Sequence, residues 1–292
     1  MATNPTGAGT QKGSTPSGIP AKGIRVVIDD SKLRRLLTAP FRVAAPAELR
    51  REGNVFLMGG ELSPQETLET LFESHCMTPA DLFHLTFGGI DSFSRGEELA
   101  RLVKKNFNAH LIGRIDYPAS SATIERAYAA GIDIIDIPLP RPEQTNDERQ
   151  REREKRLAAL DHALAVLPRW GVVSTLTLAE ESLDSALADI DLLLTKGVVP
   201  LVELSPLAGD HPAETIATVY RHLAGEWRRL RVTIAPLLSL IVLGTPLVPA
   251  KQGGILRGFI DRMRDRQLLA ASDLRRALRV QQVEESFESA GL

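Results

Sequence analysis

From Val55 onward the apolar positions change period at regular intervals, short β-branched or aromatic runs alternating with amphipathic stretches of ten or more residues. That rhythm marks repeated βα units around a parallel sheet. It predicts strands over Val55 to Met58, Leu82 to Phe87, Ala109 to Ile115, Ile132 to Ile137, Val172 to Leu178, Val198 to Leu204, and Val232 to Ile234 with an extension toward Val242. The helices between them are predicted over Pro64 to Ser74, Gly96 to Phe107, Ser121 to Ala130, Asn146 to Arg169, Glu181 to Lys196 and Ala213 to Trp227. Ser63-Pro64 followed by Glu66 predicts a capping box with proline in the first turn. Gly131, Gly171 and Gly197 stand where a helix must stop before the next strand. Seven evenly spaced strands, each followed by a helix, favour an α/β fold of the partial (β/α)6-7 TIM-like barrel type over a doubly wound sheet. In front of it, 24–53 reads as a lead-in strand (Ile24 to Ile28) and helix (Ser31 to Leu37); 54–250 is the barrel; 251–292, after Gly253-Gly254, holds C-terminal helices over Ile255 to Leu268 and Ser272 to Ala290.

Composition narrows the function classes. The chain has 292 residues, 43% hydrophobic and 25% charged, the balance of a soluble globular protein. Its 35 basic and 37 acidic residues leave a formal charge of −2, so no general attraction to nucleic acid or an anionic membrane is expected. The single cysteine excludes an intrachain disulfide and any multi-thiolate site. Residues 1–23 are rich in Gly, Ser, Thr and Pro and contain no acidic residue; they read as a disordered tail rather than a secretory signal, which implies a cytoplasmic protein. The most apolar run, Ile234 to Val248, is short and broken by Pro236, Gly244 and Pro246, so no membrane span is expected.

In parallel βα architectures ligands bind at the carboxyl ends of the strands. Candidate chemistry is read there. Gly88-Gly89 would bring a ligand close to the backbone and free N–H groups for it. The alternative is a tight βα turn. Arg114 and Asp116 share a face by the two-residue period, and would either bind a substrate's anionic group and its hydroxyl or amine, or pair with each other. Asp136 and Glu203 are candidate acid–base groups if their surroundings raise their pKa, or else partners of an interior salt bridge with Arg114 or Arg141. Asp210-His211-Pro212 reads as a helix cap before it reads as a dyad. The six histidines show no HxH or HExxH spacing, and no metal site is expected. Arg149 to Arg156 alternates acids and bases at helical spacing, as a solvated face does. Basic residues of the C-terminal stretch, among them Arg275, Arg276 and Arg279, suit packing on the barrel or on a partner.

Thr86-Phe87-Gly88-Gly89-Ile90-Asp91 running into Glu97-Glu98-Leu99-Ala100 resembles the Gly-Gly-Glu strand end of the radical S-adenosylmethionine superfamily. The likeness continues through Leu111 to Asp116, Ala130-Gly131-Ile132-Asp133, Leu160 to Leu178 and Lys196 to Leu207, with an echo of biotin-synthase-like members in Gly244-Thr245-Pro246-Leu247. It implies a partial barrel that binds S-adenosylmethionine beside a 4Fe–4S cluster held by Cys-x3-Cys-x2-Cys after the first strand. Here that strand passes through Gly59-Gly60 almost directly to Ser63 without a cysteine; Cys76 lies beyond the helix, and apolar Ile90 stands in the acidic position. The resemblance therefore implies a radical-SAM-like protein without its cluster, a non-catalytic accessory subunit of a cluster-bearing homologue in a hetero-oligomer. No cofactor is expected, S-adenosylmethionine being the one that ancestry suggests, in a retained pocket where the Gly88-Gly89 backbone and Arg114 would meet it and Asp91 or Asp136 would accept from its amine or a ribose hydroxyl. The alternative is a cluster-independent lyase, aldolase or hydrolase acting on a small polar metabolite, with Asp116, Asp136 and Glu203 transferring protons and Arg114 holding an anionic group.

Overall fold

A computed structural model describes residues 24–140, 147–178, 183–206, 208, 212–250 and 266–281. The lead-in contributes β1 (Val26–Ile28), α1 (Asp30–Thr38) and β2 (Leu49–Glu52). Six βα units follow: β3 (Val55–Gly59) with α2 (Pro64–Met77), β4 (Leu82–Thr86) with α3 (Phe93–Asn106), β5 (His110–Arg114) with α4 (Ser121–Ala129), β6 (Ile134–Asp136) with α5 (Asp147–Val166), β7 (Val172–Leu178) with α6 (Leu183–Lys196), and β8 (Val199–Leu204) with α7 (Ala213–Arg229). A short α8 (Leu238–Gly244), β9 (Leu247–Pro249) and a C-terminal helix α9 over 266–281 complete the described chain.

The main sheet runs in the order β2-β3-β4-β5-β6-β7-β8; β2 is antiparallel to β3 and the other pairings are parallel. It curls into a half-barrel with β2 and β8 as its edges. β3 and β4 are buried on both faces, as parallel strands under helices are, and therefore read as continuous apolar runs. Phe56, Phe83, Leu85, Phe87 and Leu111 lie in the layer between sheet and helices. β1 pairs with β9 in a separate two-stranded sheet, so the lead-in is tied to the far end of the barrel segment.

Four expectations change. Val232 to Ile234 forms no strand: Pro236, lacking an N–H for a ladder, opens a 3-10 turn over Ala235–Leu237 that runs into α8. Leu49–Glu52, assigned to the lead-in, is an edge strand of the main sheet, formed by register with β3 (Leu49 opposite Met58, Glu52 opposite Val55). The capping box at Ser63 is not made; Ser63 and Glu66 are exposed, and Thr67 Oγ1 donates to the Ser63 carbonyl at 2.6 Å. α3 begins at Phe93, ahead of Gly96, after a 3-10 turn over Ile90–Ser92. The Gly253-Gly254 break and the helix expected from Ile255 fall largely outside the described residues.

Candidate functional site

The register defines the concave face. Gly59, Thr86, Arg114, Asp136 and Val173 form one cross-strand row, with Leu57, His84, Ile112 and Ile134 below it. Val173 pairs with Val199, so Glu203, four residues on, points to the same side. The strand ends thus gather Arg114 from β5, Asp136 from β6, Thr175 from β7 and Glu203 from β8, with Asp116 just beyond β5.

Arg114 is the hub. Its Nε donates to Asp116 Oδ1 at 2.8 Å, its Nη1 donates to both Glu203 oxygens at 3.2 Å, and Nη1 lies 3.8 Å from Asp136 Oδ2. Three strand spacings on a flat sheet would exceed 14 Å, roughly, so the reach from β5 to β8 is made possible by the curl. Burial by itself would lower the Arg114 pKa, and the charges of Glu203, Asp136 and Asp116 more than reverse it, so the guanidinium stays charged. With three carboxylates around it, Arg114 is not the open anion hook that the sequence allowed.

Asp136 is buried, and both its oxygens are bonded: Thr175 N donates to Oδ1 at 3.0 Å and Thr175 Oγ1 to Oδ2 at 2.8 Å. Desolvation and the Glu203 charge push its pKa up to about 7, outweighing Arg114 and Thr175. The side chains grade outward from Asp136 (3% exposed) through Glu203 (18%) to Asp116 (46%), so the cluster has a buried end and an open end.

Below this row His84 is fully buried, and desolvation followed by the Arg114 and Arg50 charges brings its pKa down to about 3. Its Nδ1 and the Thr86 hydroxyl are buried without a hydrogen-bond partner among the described residues. Neither residue stands out in the sequence; only the alternation along β4 places both on the concave face.

The strand-end loops are held by side chains that the charge pattern misassigned. Arg153 and Arg156 of α5, expected on a solvated face, are buried. Arg156 donates to the Asp116 carbonyl at 2.5 Å and the Pro138 carbonyl at 2.8 Å, while Arg153 donates to the Pro140 carbonyl and pairs with Asp189. Carbonyls presented at the ends of β5 and β6 draw them inward.

At the end of β4 only Gly88 needs glycine, at φ +71; Gly89 is extended (φ −78), exposed, and has open space where a Cβ would sit. Asp91 lies exposed in the following turn, and among the described residues no hydrogen bond or ion pair joins it to the Arg114 cluster. The Ala45-Pro46 segment crosses close by: a Cβ on Gly59 would meet the Pro46 carbonyl oxygen at 2.0 Å. Arg141 and the Asp210-His211 pair lie outside the described residues.

The residues present do not fit a 4Fe–4S cluster. Gly60 to Ser63, which connects β3 to α2, carries no cysteine, and exposed Cys76 lies in the last turn of α2, at the opposite end of the sheet from the cluster of charges. Among the described residues no group of three His, Cys, Asp or Glu side chains is placed to hold a metal ion, and no helix is long and apolar enough to cross a membrane. No family model and no curated protein matches the chain.

Proposed function

We propose that the strand-end cluster binds a small polar metabolite bearing a positive charge, an amine or a sulfonium, and that Asp136 is its proton-transfer group. The observation that carries this reading is the charge balance around Arg114: with all three carboxylates ionised the cluster is negative by two, and Asp136 relieves the excess by titrating near pH 7. A ligand cation takes the place of that proton, so binding and proton release are linked. Arg114 then serves as the counter-ion that orients Glu203 and Asp136 rather than as the holder of a substrate anion. This is the cluster-independent alternative, acid–base chemistry of the lyase, aldolase or hydrolase kind, with Asp136 and Glu203 exchanging protons and Asp116 at the open end.

A thermal-shift panel tests it, with polyamines, amino acids and S-adenosylmethionine set against di- and tricarboxylates. Cationic members should raise the melting temperature of the native chain at pH near 7 and lose at least about tenfold in affinity on Glu203→Gln. Stabilisation by the anionic members alone, or cation binding unaffected by Glu203→Gln and Asp136→Asn, overturns the reading.

A second reading, the cluster-less accessory subunit of a cluster-bearing radical S-adenosylmethionine homologue, is favoured by one observation. The βα framework runs unbroken while the β3 to α2 connection is cut to Gly60 to Ser63. Anaerobic reconstitution with iron and sulfide tests it: a stoichiometric cluster with S-adenosylmethionine cleavage by this chain alone would sink the idea.

A further inference from the structure

At the opposite end of the sheet, where β7 and β8 begin, a cleft of about 340 Å³ is lined by Arg169, Trp170, Leu194, Gly197, Leu230 and Arg231. That volume is in the range of small-molecule sites, roughly 300–1,000 Å³. A second cavity between α6 and α7 adjoins it, sharing Leu194 and Leu230.

Arg231 is where it is at a conformational cost. Three helices end in the same two-bond turn. After α4, Gly131 N–H donates to the Tyr128 carbonyl and Ile132 N–H to Ala127; after α6, Gly197 donates to Leu194 and Val198 to Leu193; after α7, Arg231 donates to Arg228 and Val232 to Trp227. The turn needs a left-handed residue, and the first two helices supply glycine at φ +114 and +88. α7 supplies an arginine at φ +53, the one non-glycine with positive φ among the described residues. A long cationic side chain thus stands, beside the cleft, in a backbone conformation that favours glycine.

Its neighbours are chemically matched. Arg169, also exposed, lies against Gly197, its Nη2 3.4 Å from where a Cβ would sit. Among the described residues neither Arg169 nor Arg231 has an ion-pair partner, so both guanidiniums are open to an oxyanion. Half-buried Trp170 lies beside them, its ring held edge-on by His110 at 5.6 Å and 80°. Two guanidiniums beside a preoriented flat ring suit a phosphate joined to an aromatic system.

We propose that this cleft binds a small organic phosphate with a planar ring, the class of the nucleoside monophosphates, with Arg169 and Arg231 clasping the phosphate and Trp170 supporting the ring. The site is separate from the strand-end cluster and stands or falls independently of it.

Titration of the full chain with AMP, adenosine and inorganic phosphate, followed by tryptophan fluorescence and calorimetry, tests it. AMP should quench Trp170 and bind with a Kd of about 10–100 μM, with adenosine and phosphate each at least about tenfold weaker. Arg231→Gly separates the site from the fold: glycine suits the turn, so this variant should melt higher than the native chain while binding AMP at least about tenfold more weakly. Arg169→Ala should weaken AMP similarly, and Asp136→Asn should leave it unchanged. No quench or heat at about 1 mM AMP, phosphate alone binding as tightly as AMP, or native affinity in Arg231→Gly would each overturn the proposal.

Discussion

A carboxyl that titrates near neutrality inside a folded chain makes that chain's stability depend on pH in a definite direction. Asp136 rises from an ordinary 3.8 to about 7, so the folded state holds its proton more tightly than the unfolded chain does. Its stabilising contribution is complete below about pH 4 and is lost as the pH climbs through about 7, with a slope of up to about 1.4 kcal/mol per pH unit. Asp136→Asn, which keeps an acceptor for Thr175, should flatten that slope and be more stable than the native chain at about pH 8; urea unfolding across the pH range measures it. Thr175→Val, which removes the donor to Oδ2, should move the midpoint higher still. The glycines nearby divide by geometry. Gly59→Ala drives a Cβ into the Pro46 carbonyl and should cost about 3 kcal/mol, whereas Gly89→Ala, with open space around it, should stay within about 0.5 kcal/mol. Two adjacent glycines in a sequence do not say which of them the backbone requires; φ does.

Whole elements are anchored by charges whose partners lie far off in sequence. Asp133, fully buried at the start of β6, accepts from Lys104 of α3 at 2.8 Å, the Leu111 N–H at 3.1 Å, and Ser272 and Arg276 of α9 at 3.0 and 2.6 Å. Arg276 also lies over the Tyr128 ring and Arg279 pairs with Glu125, so α9 is fastened to β6 and α4. Arg276→Met should therefore destabilise the chain by about 3 kcal/mol, since it leaves Asp133 short of a cation, and the release of α9 should show as early amide exchange over 266–281. Sequence reasoning placed these arginines in an amphipathic end suited to packing on the barrel or on a partner, and distance in the chain hid which. The same limit explains Arg153 and Arg156: acids and bases at helical spacing look alike whether the helix is solvated or draped over strand ends, and Asp189 and the carbonyls that decide the matter are tens of residues away or in the backbone. β2 was hidden for a related reason, because Leu-Arg-Arg-Glu has no apolar alternation and becomes a strand only through its register with β3.

At the scale of the molecule, the βα rhythm was legible from Val55 to Arg229 because each unit carries its own period change and stop signal. Pairing of Arg114 with Asp116, and a salt bridge from Asp136 or Glu203 to Arg114 or Arg141, stood among the readings of the strand ends; that all three carboxylates converge on Arg114 depends on the curl. The curl leaves two sheet edges, which an eight-stranded barrel would join, and an open edge is a template for pairing with another chain. β2 meets the hazard with charge, Arg50, Arg51 and Glu52 occupying three of its four positions. β8 is apolar but for Glu203, and it is covered instead: buried Tyr220 of α7 donates its hydroxyl to the Val202 carbonyl at 3.1 Å. Burial drives the Tyr220 pKa well upward, with the Glu203 charge adding to it, so the phenol keeps the proton it donates. Tyr220→Phe preserves the packing and leaves that carbonyl without its donor, at a cost of about 1–3 kcal/mol. Because the loss falls on an edge, its signature should differ from that of a core substitution of equal cost. Light scattering should show concentration-dependent association of Tyr220→Phe below its melting temperature, while a variant equally destabilised within the α2–α3 layer, such as Leu99→Ala, stays monodisperse; equal behaviour of the two would mean that α7 alone, without the hydroxyl, protects β8.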